Sequence, residues 1–306
     1  MTRPLYGITL KLLSVVVFTA MAAAIKATAD TIPTGQAVFF RSFFAIPVIL
    51  LWLVWLRDLP HGLETKAPLG HLWRGLVGVS AMGLGFAGLG LLPLPEVTAI
   101  GYARPLLTVI LAAMFLGEVI RLFRLSAVLL GLVGVLIVLS PRLTGFASGA
   151  EAETLGAVLV LMSATLAALA QVFVRKLVQT ETTSAIVFYF SVTASVMALV
   201  TLRFGWVWPS WEDAVILISA GVMGALGQIL MTSSYRYAET SVIAPFDYAS
   251  MLLAIAVGFW IFGEVPTVTV LVGASLVVAA GLLIIWREHR LGLERGKARR
   301  LLTPQG

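Results

Sequence analysis

The chain has 306 residues, 59% apolar and only 12% charged, with a mean hydropathy of +1.00. That excludes a water-soluble globular fold, in which charged residues make up about a quarter of the chain. The net charge of +6 would suit nucleic acid, but the bases gather at the ends of apolar runs and between Arg287 and Arg300, where orientation signals accumulate, so nucleic acid is set aside. With no cysteine, disulfides, thiolate metal sites and cysteine catalysis are excluded as well.

Apolar runs of roughly 18 to 25 residues, the length that crosses the hydrocarbon of a bilayer, predict ten transmembrane helices. In chain order they cover 7–27, 34–56, 72–92, 95–117 and 124–141, then 154–177, 184–202, 212–234, 240–262 and 266–286. The first has Arg3 ahead of it and Ala22-Ala23-Ala24 near its end, the outline of a cleavable secretory signal. It is read instead as the first span, because Lys26 is followed at once by further spans. The extended polar segments are 57–71, 142–153 and the tail after 286.

With the N-terminus inside, fifteen basic residues fall in cytoplasmic segments, Arg74 among them, against Lys26, Arg142 and Arg203 outside. Lys11, Arg41 and Arg104 stay within spans. The positive-inside rule then places both termini in the cytoplasm of a multi-pass protein of the cell inner (plasma) membrane.

The chain also repeats itself. At an offset of 146, Tyr102-Ala103-x-x-Leu106-Leu107 and Gly117-Glu118-Val119 recur as Tyr248-Ala249-x-x-Leu252-Leu253 and Gly263-Glu264-Val265. Gly75-x-x-Gly78 recurs as Gly221-x-x-Gly224, and Gly7, Leu10, Leu12 and Ser14 recur at an offset of 149 as Gly156, Leu159, Leu161 and Ser163. A duplicated unit of five spans must insert its second copy upside down, the arrangement by which many carriers obtain two access states from one fold. The expected organisation is thus a first five-helix repeat over 7–141, an inverted second repeat over 154–286, and a basic tail over 287–306.

The fourth helix of each half closes on Phe115-Leu116-Gly117-Glu118 and Ile261-Phe262-Gly263-Glu264; Ala244-Pro245-Phe246-Asp247-Tyr248 opens the ninth helix, and Arg41 lies in the second. In these features the chain resembles the EamA-domain members of the drug/metabolite transporter superfamily over residues 7 to 286. The resemblance implies a carrier of small metabolites, and similar proteins are associated with amino acids, vitamins such as riboflavin, S-adenosylmethionine, sugars and drugs. One departure is that Pro105, thirteen residues before Glu118, has Met251 as its counterpart, with Pro245 six residues earlier.

Several residues suit chemistry inside a membrane. Arg41 and Arg104 lie seven to nine residues inside their spans, where a guanidinium needs water, a partner or a ligand. Each is either a structural ion pair, a water-facing group at a vestibule, or a clamp for a carboxylate or phosphate. Asp247, beside Pro245 and Tyr248, is the carboxylate deepest in any span, a proton carrier or a partner for Arg104 if it is not a fixed salt bridge or a cap. Tyr102 and Tyr248 offer rings with polar tips to a mostly apolar pocket, or pack at a pseudo-twofold axis. Gln171 and Gln228 contact solute or cross-link helices. Glu118 and Glu264 lie at opposite membrane faces and read as structural anchors. Glycine steps in the third helix (Gly75, Gly78, Gly83, Gly85, Gly88, Gly90) and the eighth (Gly221, Gly224, Gly227) permit close helix approach.

The expectation is a secondary transporter of a small organic solute, working by alternating access and coupled to an ion or to exchange. The lipid bilayer is its solvent, no cofactor is implied, and a homodimer is compatible with the architecture. The alternatives are a membrane-embedded enzyme, such as an acyltransferase, and a channel or scramblase. The enzyme lacks support in the sequence, since His61, His71 and His289 are all assigned to loops or the tail and no metal-ligand spacing or nucleotide-binding loop appears.

Overall fold

A computed structural model of the chain describes residues 4–116, 122–143, 151–177, 180–237 and 244–301. Thirteen α-helices follow one another among them: α1 (Pro4–Ala27), α2 (Thr34–Phe43), α3 (Ala45–Trp55), α4 (Leu59–Gly62), α5 (Pro68–Leu91), α6 (Leu94–Gly101), α7 (Ala103–Leu116), α8 (Leu122–Leu143), α9 (Glu151–Leu177), α10 (Thr183–Val200), α11 (Trp211–Tyr237), α12 (Ala249–Phe262) and α13 (Val268–Leu301). Short 3-10 turns cover Thr201–Phe204 and Ala244–Tyr248. Among the described residues, nine helical stretches are long and apolar enough to cross a membrane, and Phe246–Phe262 is a shorter apolar one. The protein is therefore an all-α polytopic membrane protein.

Two expected spans are broken in the middle. The second divides at Phe44 into α2 and α3, because Pro47 has no N–H to offer the Phe43 carbonyl. The fourth divides at Tyr102 into α6 and α7, where Pro105 withdraws the same bond from Gly101. The ninth begins as the 3-10 turn Ala244–Tyr248 and becomes α-helical at Ala249, although Met251 stands where a proline would be. Tyr102 (φ −68, ψ −7) and Tyr248 (φ −69, ψ −13) are thus equivalent joints in the backbone.

Three boundaries differ from expectation. The segment 57–71 contains α4, and α5 starts at Pro68, a residue suited to a first helical turn. His71, assigned to a loop, and Arg74, counted as a base at a cytoplasmic span end, are therefore both buried helix residues. The last helix runs on through the basic tail to Leu301, so His289 is helical too.

The helices pack across the two halves of the sequence. α1 lies against α11 and α5 against α9; α2 pairs with α10, α6 with α12, and α8 with α13. This pattern is unchanged when the first five spans are exchanged for the second five. Glycines make the contacts close: a Cβ on Gly221 would stand 2.6 Å from that of Phe44, and one on Gly75 2.6 Å from the Thr193 methyl. Gly83, by contrast, faces open space. One buried cluster joins Tyr102, Leu106, Val128, Val160, Met251 and Val277; a second joins Ile25, Leu94, Leu217 and Ala254. The outer faces carry exposed leucines and valines, and Trp55, Trp208, Trp211 and Trp260 stand exposed near helix ends, as aromatic residues do at a membrane interface.

Candidate functional site

The two joint tyrosines meet. Their rings are 5.2 Å apart, edge to face, and the Tyr102 hydroxyl lies 2.7 Å from Ser250 Oγ and donates to the Tyr248 carbonyl at 3.3 Å. Ser250 in turn donates to the Asp247 carbonyl at 2.7 Å. The Tyr248 hydroxyl reaches α13, where it touches the place a Cβ would take on Gly281, so that glycine is required by the ring itself.

Charges border these rings. The Asp247 carboxylate pairs with Lys11 Nζ at 2.7 Å; the lysine is 1% exposed, whereas the Asp247 side chain is half open. Arg104, two residues beyond Tyr102, is exposed, and its charge interacts with that of Asp247 without a contact ion pair. Asp247 thus has Lys11 as its contact partner rather than the Arg104 considered from sequence. Gln228 is partly buried on α11 and Gln171 exposed on α9, and neither joins the tyrosine cluster by a hydrogen bond. Arg41 lies apart from that cluster, buried between α10 and α11.

One end of the bundle is tied by ion pairs. Gly263, with φ +66, ends α12 in the left-handed conformation that glycine adopts without a Cβ clash. The Glu264 amide then bonds back to the Gly258 carbonyl at 2.9 Å. This turn aims the Glu264 carboxylate at the first half, where it accepts from the Leu94 amide at 2.7 Å and pairs with Lys26 at 2.9 Å. Lys26 also donates to the Leu92 and Leu89 carbonyls, at 2.7 and 3.1 Å. The Gly-Glu motif is thus a helix stop followed by an anchor on a helix N-terminus, as expected of Glu264. Its counterpart Glu118, with Gly117, Val119 and Arg121, lies outside the described residues. Near the same end Arg142 holds Glu96 through two hydrogen bonds, at 2.8 and 3.0 Å, and pairs with Glu153.

The opposite end has a buried latch that the sequence did not signal. His71 Nε2 lies 3.2 Å from Glu181, both side chains being buried, and the Lys66 amide bonds the same carboxylate at 2.8 Å. Burial would raise the Glu181 carboxyl, but hydrogen bonds from His71, the Lys66 amide and Thr65 outweigh it and hold the group below the usual carboxylate range. Tyr189 packs against His71 with its ring tilted and donates to the Leu63 carbonyl at 3.0 Å.

These features define a polytopic bundle with interrupted helices, charges open at mid-chain joints, and ties at both ends. The EamA-like transporter family model matches residues 5–140 and 154–286, and the chain belongs to that family. Among relatives, the S-adenosylmethionine uptake transporter of Rickettsia bellii is 28% identical over 93% of this chain and 94% of its own length. The pseudopaline exporter CntI of Pseudomonas aeruginosa is 28% identical over 90% of this chain and 94% of its own. A solved crystal structure superposes with a TM-score of 0.64 over 93% of this chain and 98% of the other, at 19% identity, a likeness of fold. The protein is a small-solute transporter and not an enzyme.

Proposed function

We propose that the protein carries a small amino-acid-like or S-adenosylmethionine-like solute across the inner membrane by alternating access. Its two halves, 7–141 and 154–286, act as inverted repeats around the Tyr102 and Tyr248 joints, and both termini lie in the cytoplasm. The observation that carries the reading is that these two tyrosines interrupt equivalent helices and meet each other across the two halves. Discontinuous helices near the bilayer midplane are where carriers bind solute.

Tyr102 and Tyr248 contact the body of the solute, Arg104 or Arg41 an anionic group on it, and Gln228 and Gln171 its polar edges. Asp247 exchanges Lys11 for a proton during the cycle. The exposure of Arg104 and the half-exposure of Asp247 support a water-filled vestibule, because an arginine facing hydrocarbon is strongly disfavoured. The ties of Lys26 to Glu264 and of Arg142 to Glu96 support closure of the end that carries them. Exposed apolar faces support contact with lipid, and a homodimer is part of the same reading, to be sized by native mass spectrometry.

The test compares metabolites inside and outside cells that express the wild type, Arg104→Gln or no transporter. A solute redistributed by the wild type alone supports transport and the place of Arg104. Redistribution equal in the variant removes Arg104 from the site.

A further inference from the structure

Two buried guanidinium groups share one phenylalanine. Arg41 on α2 and Arg74 on α5 are 7% and 8% exposed, and their Cζ atoms lie 5.9 and 3.7 Å from the centroid of the Phe190 ring on α10. Phe190 follows Thr183, the first residue of α10, by seven places, just as Arg41 follows Thr34, the first of α2. The second half thus presents a ring where the first presents a charge.

Neither arginine is neutralised. Arg41 Nε, Arg74 Nε and Arg74 Nη1 are enclosed without a hydrogen-bond partner, and among the described residues neither side chain is paired with a carboxylate. The nearby acid, Glu181, is taken up by His71 and the Lys66 amide. Both guanidinium groups lie against the same ring, so two like charges are enclosed near each other. Glycine backbone, Met21 and Phe190 stand against them. A Cβ on Gly224 would come 2.9 Å from Arg41 Nε and 3.2 Å from Met21 Sδ, and one on Gly78 would come 3.2 Å from Arg74 Nη1 and 3.0 Å from the Phe190 ring. Attraction to the ring offsets only part of the penalty of enclosing two like charges. A membrane protein holds buried, unpaired cations where something else arrives to pair with them.

We propose that Arg41 and Arg74 form an anion subsite that takes a carboxylate of the transported solute, whose carbon skeleton lies against Phe190. The inference rests on the transporter reading. The planar fork of a guanidinium takes two oxygens of a carboxylate or of a phosphate, and what favours the carboxylate is the shortage of further donors around the pair. The helical backbone around the pair spends its N–H groups internally and offers no cradle for a third or fourth oxygen. Both arginines and Gly78 come from the first half while the Phe190 ring and Gly224 come from the second, so a bound carboxylate would draw the two halves together.

The test is thermal unfolding of the full-length protein in dodecyl maltoside, at constant ionic strength, with added succinate, L-methionine, L-methioninamide or inorganic phosphate. At least one carboxylate is expected to raise the midpoint saturably by several degrees, with the amide inactive. Arg41→Gln and Arg74→Gln should each weaken that response by about tenfold or more, and Arg→Lys at either position should restore part of it. Without ligand, the Gln variants should unfold no lower than the wild type, since each removes an unneutralised buried charge. Four results would overturn the proposal: no saturable response, a response to phosphate but not to carboxylates, a response unchanged in both Gln variants, or a lower ligand-free midpoint in both. Binding is read without a gradient. A protein that binds carboxylate but moves no solute therefore fails the transporter reading alone, and one that transports normally without both arginines fails this inference alone.

Discussion

Replacing Glu264 with Gln should open the tied end of the bundle. The carboxylate accepts one charge-assisted bond from Lys26 at 2.9 Å and one amide bond from Leu94 at 2.7 Å, with side-chain exposures of 12% for the lysine and 16% for the glutamate. A net hydrogen bond to a charged group contributes about 1.5–3 kcal/mol, and loss of one partner of a fully buried pair costs about 3–5 kcal/mol. Here both groups retain some access to water, and glutamine still accepts from the Leu94 amide. About 2 kcal/mol is therefore expected, which shifts the closed-to-open ratio roughly thirtyfold. The natural chain has no cysteine, so a single reporter can be introduced cleanly. Ala254→Cys places it at a residue 1% exposed, in the cluster that contains Ile25 and Leu94 beneath the tie. Maleimide labelling of solubilised Ala254→Cys should accelerate about thirtyfold when Glu264→Gln is added, if labelling follows the open population. An unchanged rate would refute the idea that this ion pair holds a gate.

Four further outcomes follow from the geometry. Tyr102→Phe removes the hydroxyl that reaches Ser250 and the Tyr248 carbonyl, a loss of about 1 kcal/mol at the joint, and should lower transport severalfold while the protein still folds; unaltered kinetics would place that bond outside the cycle. Asp247→Asn should abolish gradient-driven accumulation in proteoliposomes yet preserve solute exchange, and accumulation at the wild-type level would exclude Asp247 as the proton carrier. Gly281→Ala puts a methyl onto the Tyr248 hydroxyl and should destabilise the protein by about 1–3 kcal/mol, read as a lower unfolding midpoint that Tyr248→Phe partly restores. Because the folded Glu181 carboxyl is held low, its stabilisation is present above the ordinary carboxylate value and is lost as pH falls through the lowered one. Glu181→Gln should therefore lower the midpoint at neutral pH by an amount that shrinks as pH falls below the ordinary carboxylate value; a deficit that does not shrink would contradict the latch.

Much of the fold was legible because a bilayer imposes one length scale. Apolar runs bounded by charge marked every span, and the register of Tyr102 with Tyr248 and of Gly117 with Gly263 marked the duplication. The same rule misplaced Arg74 and His71. It assigns charges to span ends, whereas the structure starts α5 at Pro68 and buries both residues within its first two turns. Their partners, Phe190 and Glu181, are more than a hundred residues away, and one sequence carries no signal of such a contact. The proline breaks at Phe44 and Tyr102 follow from Pro47 and Pro105, but the joint at Tyr248 has no proline three residues on and is set by packing against α13 and Tyr102. Lys11 stood out as a base inside a span. Its pairing with Asp247 depends on how the first and ninth spans cross, which hydropathy does not encode.

The most direct test of a saturable small-solute carrier is counterflow into proteoliposomes from a uniformly isotope-labelled metabolite extract, without ATP. The account predicts that at least one labelled solute accumulates transiently above equilibrium, saturates with concentration, and does so more weakly with Arg104→Gln. Entry no faster than into protein-free vesicles, or a linear leak without overshoot, would contradict it.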